Sequence, residues 1–233
     1  MMQIYAIGDG AITLSLGNQV NDFLNKKVIA VQQWVWQNRF NGLKDVVTGY
    51  ATCTLYYDAF IVKQHYKPAS SAYAWVQQFL EKAFHQSLVE LYTEPRSIRI
   101  PVCYDEDFGT DIKLLAASKS MAAETIINIH TSNTYRVYMV GFLPGFAYMG
   151  MVDEAIAMPR KQQPQTVAAG SVGIAGYQTG IYPLSSPGGW NIIGRTPVQM
   201  FNENKQPPVL LQAGDEVRFE RISRDAFNNW LGQ

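Results

Sequence analysis

Apolar and polar positions alternate from the first residues. "MQIYAIG" and "AITLSLG" follow the two-residue period of strands and are split by Asp9-Gly10, a hairpin signal. Between Asn21 and Arg39 the period changes. Leu24, Val28, Val31 and Val35 recur at helical spacing, and the segment stops before Asn41-Gly42. "VVTGYATCTLYYD" is patterned as extended chain. Ser70 to Ser87 returns to helix, with Val76, Phe79, Leu80 and Ala83 on one face. Two helices laid on a small antiparallel sheet is the simplest packing of this order.

"TEPRS", at 93–97, reads as a junction. Beyond it "IRIPVCY" is a strand, Asp111–Ser118 and Ser120–His130 are short helical stretches, and "YRVYMVGF" is another strand. From Pro159 onward short apolar runs are separated by glycine and proline, with little helical period until the last turn. That pattern suits a barrel or a sandwich. The expected division is therefore an α+β domain at 1–94 followed by a mainly β domain at 95–233.

Composition narrows the functional classes. Hydrophobic residues make up 47% of the 233 and charged residues only 16%, as in a globular chain poor in charge. Nineteen basic residues balance nineteen acidic ones, which removes the usual attraction to nucleic acid or to an anionic membrane. Cys53 and Cys103 form no CxxC or CxxH pattern, so neither a zinc site nor a disulfide framework is expected. The first residues lack the basic and apolar regions of a signal peptide, and no apolar run is long enough to span a bilayer. A cytoplasmic chain is expected.

Candidate chemistry gathers in the second half. "GFLPGFAYMG", Gly141 to Gly150, is uncharged and rigid, and is either a core corner or a ligand wall built on Phe142, Pro144, Gly145 and Tyr148. His130, just ahead of the strand that leads into this loop, is a candidate for proton handling near the base of such a pocket. "AAGSVGIAGYQTGIYPLSSPGGWNIIGRTP", Ala168 to Pro197, has seven glycines before its single arginine, Arg195. That density leaves backbone N–H groups approachable, with Ser171, Gln178, Thr179, Tyr182, Ser185 and Ser186 as neutral partners, and Gly188 and Trp190 in the same run. Arg195 and, in "MPRKQQP", Arg160 are the candidate forks for a carboxylate or phosphate. Other chemistries are set aside. "AGSVG" has alanine at 169 and extended sequence after it, where a nucleophile elbow needs glycine and a helix. No GxxxxGK[ST] occurs, and a Ser171–His130–Asp153 triad has no support from spacing.

"IPVCYDEDFGTDI", "HTSNTYRVYMVGFLPGFAYMG", "PRKQQPQTVAAGSVGIAGYQTGIYP" and "SPGGWNIIGRTP" together resemble the signature blocks of the family of 5-oxoprolinase B-type subunits, also named for the kinase inhibitor KipI and for allophanate hydrolase subunit 1. The blocks run in order through Ile100–Pro197, and "LLQAGDEVRF" resembles the closing strand. The sequence departs from the family at Ala168, where proline is usual, and in "GTDI", where "GPDL" is commoner; both touch turn stiffness rather than chemistry. The resemblance implies a small N-terminal α/β domain and a cyclophilin-like β-barrel. It also implies partners: a carboxyltransferase-like C-type subunit and an A-type subunit, with which ATP-driven cleavage of 5-oxo-L-proline yields L-glutamate. ATP and its divalent cation are expected at the level of that complex, with no cofactor held tightly and no metal held by this chain. The alternatives the same family leaves open are an inhibitor of a sensor histidine kinase and a component of a urea- or allophanate-degrading enzyme.

Overall fold

The computed structural model describes residues 2–87 and 94–231. The chain divides into two compact units, Met1–Glu94 and Pro95–Gln233.

In the first unit, β1 (Gln3–Ala6), β2 (Ala11–Ser15), α1 (Asp22–Gln37), β3 (Leu43–Thr48), β4 (Thr52–Tyr57), α2 (Ala59–Tyr66) and α3 (Ala72–Ser87) follow one another. The four strands form an antiparallel sheet in the order β1-β2-β4-β3. Asn21 caps α1 by accepting the Leu24 N–H at 3.1 Å. Most of the apolar stripe read from spacing is buried, although Leu24 of α1 is only partly so. Val28, Val31 and Val35 of α1 and Val76, Leu80 and Ala83 of α3 close over Ile12, Leu14 and Leu55 of the sheet. Phe79 is only partly buried and stacks among Trp34, Phe40 and Trp75.

Helix α2 is an addition to the two helices expected. It is eight residues long and buries only Val62, so it has too little periodicity to be seen in the pattern. Its one sequence mark is Asp58, whose carboxylate accepts the N–H groups of Phe60 and Ile61.

The second unit contains β5 (Ser97–Val102), α4 (Ile112–Lys119), α5 (Ala123–Ser132), β6 (Thr134–Val140), β7 (Ala147–Gly150), β8 (Gln165–Val167), β9 (Ser171–Ala175), β10 (Gln178–Ile181), β11 (Ser186–Gly188), β12 (Asn191–Arg195), β13 (Glu216–Arg221) and α6 (Arg224–Leu231). Seven strands form one sheet in the order β12-β9-β10-β7-β6-β13-β5, antiparallel except where β13 meets β5. β8 and β11 pair separately. The large sheet curls until its edges meet. Just beyond β5, Cys103 exchanges two backbone hydrogen bonds with Arg195 at the end of β12, at 2.8 and 2.9 Å. Closure of this kind removes exposed strand edges.

Ser171 lies inside β9, paired across to Arg195, so no strand-to-helix elbow exists around it. Among the described residues no helix is long and apolar enough to cross a membrane.

Candidate functional site

Strands β9 and β10 have two differently used faces. Val172, Ile174 and Ile181 point into the main core of the second unit. Ala175 and the neighbouring Tyr182 point the other way, into a smaller cluster with Phe146, Val167, Trp190 and Ile192. The two-residue period of a strand produces this split. On the second face lies a groove of about 550 Å³ lined by Phe142, Phe146, Tyr148, Pro159, Arg160, Pro164, Ala175, Gly176, Gln178, Tyr182, Pro187, Gly188, Gly189 and Trp190.

The wall of the groove is aromatic. Phe146 makes edge contacts with Tyr148, Tyr182 and Trp190 at centroid distances of 4.8, 5.2 and 5.3 Å. Trp190 lies across the paired glycines Gly173 and Gly180. A Cβ at Gly173 would sit 3.1 Å from the Trp190 Cβ, and one at Gly180 would sit 3.0 Å from Trp190 Cζ3. Here glycine is needed for close approach of the Trp190 side chain, not to leave backbone N–H groups open to a ligand as expected from sequence. Phe142 stands at the mouth, 63% exposed, with its backbone in the left-handed region at φ 71. An aromatic residue there is an outlier of the kind that clusters at ligand clamps.

Arg160 supplies the positive charge. Its side chain is exposed, lies over Gly189, and pairs with no carboxylate among the described residues. The backbone around it is fixed: Met158 accepts the Gly176 N–H at 2.6 Å, Pro159 accepts from Asn191 Nδ2 at 2.9 Å, and Gly189 accepts the Lys161 N–H at 2.8 Å. Lys161 is not a second free cation, because its ammonium meets Asp111 at 2.6 Å with both groups largely buried. Burial raises the phenol pKa values of Tyr148 and Tyr182, and the Arg160 guanidinium acts on both in the opposite direction. Both phenols are neutral near pH 7. The groove therefore offers a guanidinium, two hydroxyls, the Gln178 amide and an aromatic surface. That set fits a small anion with an apolar body.

Of the residues singled out from sequence, Phe142, Tyr148, Arg160, Gln178, Gly188 and Trp190 meet in this groove, together with Tyr182. The others do not line it. Pro144 is exposed outside it. Gly145 is buried at φ 83, and a Cβ there would lie 3.0 Å from the Met200 carbonyl, so this part of the loop is the core corner rather than the wall. Ser171 and Thr179 are buried within their strands. Arg195 belongs to the seam of the curled sheet, and its Nε donates to the Ala169 carbonyl at 2.8 Å.

His130 is fully buried, stacked on Phe219 at 4.6 Å, and burial depresses its pKa to about 3. Its Nε2 meets Thr179 Oγ1, so the ring lies behind the groove floor, on the core face of β10. The proton-handling role expected of it is corrected on this ground: the ring has no path to the groove and is held neutral. Sequence reading missed Phe146 and the prolines Pro159, Pro164 and Pro187. Phe146 sits in the same apolar glycine loop as Phe142, and the prolines flank the candidate arginine and glycines.

Residues 2–211 match the family model for the carboxyltransferase domain, subdomain C and D. The chain is 38% identical to the B-type subunit of 5-oxoprolinase from Bacillus subtilis (strain 168) over 228 residues, covering 97% of this chain and 95% of that one. It belongs to the family of 5-oxoprolinase B-type subunits. Among solved structures, TTHA0988 superposes with a TM-score of 0.78 at 32% identity over 91% of this chain. This chain spans 40% of that longer protein. Kluyveromyces lactis urea carboxylase shares the fold, with a TM-score of 0.72 at 16% identity, over 98% of this chain and 22% of its own length.

Proposed function

We propose that this chain is the B-type subunit of an ATP-dependent 5-oxoprolinase, acting with the A-type and C-type subunits to cleave 5-oxo-L-proline to L-glutamate. The observation that carries the reading is Arg160, an arginine without a carboxylate partner among the described residues, set in an aromatic groove between two neutral phenols. Full-length relatives that bear the B-type name support it. We read the curled sheet of the second unit as a cyclophilin-like barrel and the two compact units as separate domains.

5-Oxo-L-proline is a five-membered lactam bearing one carboxylate. In the proposed complex Arg160 takes the carboxylate as a planar fork, Tyr148 and Tyr182 donate to polar oxygens, and the ring rests on Phe146 and Trp190. An unstrained amide opens slowly, and phosphorylation of the lactam oxygen by ATP makes the ring carbon electrophilic toward water. Among the described residues the groove is lined by one guanidinium and no carboxylate, and we assign nucleotide and metal to the assembled complex. The role of this chain is to bind and orient the lactam and to exclude water from its apolar face.

The test is ATP-dependent glutamate release by the chain combined with its A-type and C-type partners, alongside calorimetric titration of the chain with 5-oxo-L-proline. Glutamate release that requires this chain, and that Arg160→Gln abolishes, supports the reading. Binding of a sensor histidine kinase with no glutamate release would replace it with the inhibitor reading. Turnover of urea or allophanate instead would move the chain to that class.

A further inference from the structure

Four buried groups form a hydrogen-bonded chain beneath the groove. Tyr104 Oη lies 2.8 Å from His130 Nδ1, His130 Nε2 lies 3.1 Å from Thr179 Oγ1, and Thr179 Oγ1 donates to the Gly173 carbonyl at 3.1 Å. The direction of each bond follows from what each group can do. A carbonyl only accepts, so the single Thr179 hydrogen goes to Gly173. Thr179 must then accept from His130, which places the imidazole hydrogen on Nε2. A neutral ring has one such hydrogen, so Nδ1 is bare and accepts the Tyr104 hydroxyl hydrogen. Tyr135 contributes separately, donating to the His130 carbonyl at 3.0 Å. Tyr104, His130 and Thr179 are all buried, and every member of the chain is satisfied. Networks completed in this way fix one arrangement.

The chain ends on the strands that floor the groove. Thr179 follows Gln178, and Gly173 lies opposite Gly180 beneath Trp190. Building on the reading of this groove as the substrate site, we infer that His130 is a positioning residue for it. As the neutral Nε2–H tautomer it locks Thr179 to Gly173, and this lock holds Ala175, Gly176 and Gln178 in place on the opposite face. Burial of the ring, which keeps it uncharged, agrees with that role.

Three measurements test it. Nitrogen-15 NMR of the wild-type imidazole should show the neutral Nε2–H pattern from about pH 8 to about pH 5. An Nδ1–H tautomer, or protonation within that range, would overturn the inference.

In the complex with the A-type and C-type subunits, His130→Phe keeps the ring on Phe219 but removes both bonds. It should raise KM for 5-oxo-L-proline about tenfold with a smaller change in kcat, through misplacement of the floor. His130→Gln, which retains a donor and an acceptor, should restore most of the loss. Thr179→Val cuts the chain without touching the ring and should reproduce the KM effect, which covers the case in which His130→Phe does not fold. Unchanged KM in Thr179→Val and in any folded His130→Phe would sink the idea.

Amide hydrogen exchange at Gly176 and Gln178 in the chain alone separates this inference from the function. Faster exchange in Thr179→Val supports positioning even if no glutamate is formed, and unchanged exchange overturns it.

Discussion

The sequence puts Arg195 first and Arg160 second, and the structure separates them by what each already touches. Arg195 donates Nε to the Ala169 carbonyl and closes the sheet seam through its backbone, whereas Arg160 has no carboxylate partner among the described residues and faces the groove. Local sequence favours Arg195 because its partner is a backbone carbonyl brought near only by the fold. Arg160→Lys should lower kcat/KM of the complex ten- to over a hundredfold, the loss of about 1.5–3 kcal/mol expected when a planar charge-assisted contact goes. The melting temperature should hold, since this side chain is exposed. Arg195→Lys should do the reverse, costing about 1 kcal/mol in denaturant unfolding and leaving kcat/KM within about threefold. Equal kinetic losses in the two variants would mean that the groove is not the substrate site.

His130 carries a pH signature at the same scale. Its folded pKa, about 3, lies below the ordinary 6.5, so the unfolded chain binds the extra proton. The stability tied to the neutral ring is complete above about pH 6.5 and falls with pH by about 1.4 kcal/mol per unit until the folded value is reached. His130→Gln should flatten that part of the stability curve against acid, as measured by urea unfolding at a series of pH values. A slope equal to that of wild type would show that the imidazole is not held neutral.

At the scale of elements, helices α1, α3, α4 and α5 were legible in the pattern and α2 was not. Helices α1 and α3 carry repeated apolar spacing over sixteen residues each, enough to show the buried stripe. Helix α2 has one buried apolar residue and depends on its Asp58 cap and on packing. The glycine-rich run reads as backbone with approachable N–H groups, whereas Gly173 and Gly180 lie in buried, paired strands under Trp190, and the pattern does not say which face of β9 and β10 is core. That assignment depends on helix α5, which brings His130 under Thr179.

The β6–β7 loop shows the same limit, because one apolar stretch serves both as corner and as wall. Gly145 is the corner. A valine there meets the Met200 carbonyl and must adopt a left-handed backbone, for a combined cost of about 2–4 kcal/mol. Gly145→Val should therefore lower the melting temperature clearly. Phe142→Gly, three residues earlier, relieves the left-handed backbone at the expense of chain entropy and the Phe146 contact. It should leave the melting temperature nearly unchanged and raise KM for 5-oxo-L-proline. Gly145→Val without loss of stability would show that the loop does not pack as a corner.

At the scale of the whole molecule, the proposed reading assigns this chain to binding and leaves the chemistry to the assembled complex. Arg160, Tyr148, Tyr182 and Gln178 can hold a small carboxylate-bearing ring. A hydrolytic step also needs a group that takes a proton from water. The phenols are raised by burial and stay protonated, and the depressed His130 is sealed behind the floor. Among the described residues no carboxylate lines the groove to serve as a base or to hold a cation. The isolated chain should therefore bind 5-oxo-L-proline with a small, calorimetrically detectable heat that Arg160→Gln removes, and should release no glutamate when ATP and magnesium are added. Adding the A-type and C-type subunits should produce glutamate in proportion to ATP consumed. Turnover by the chain alone would require a catalytic base that this groove does not contain, and would place the reaction elsewhere on the molecule.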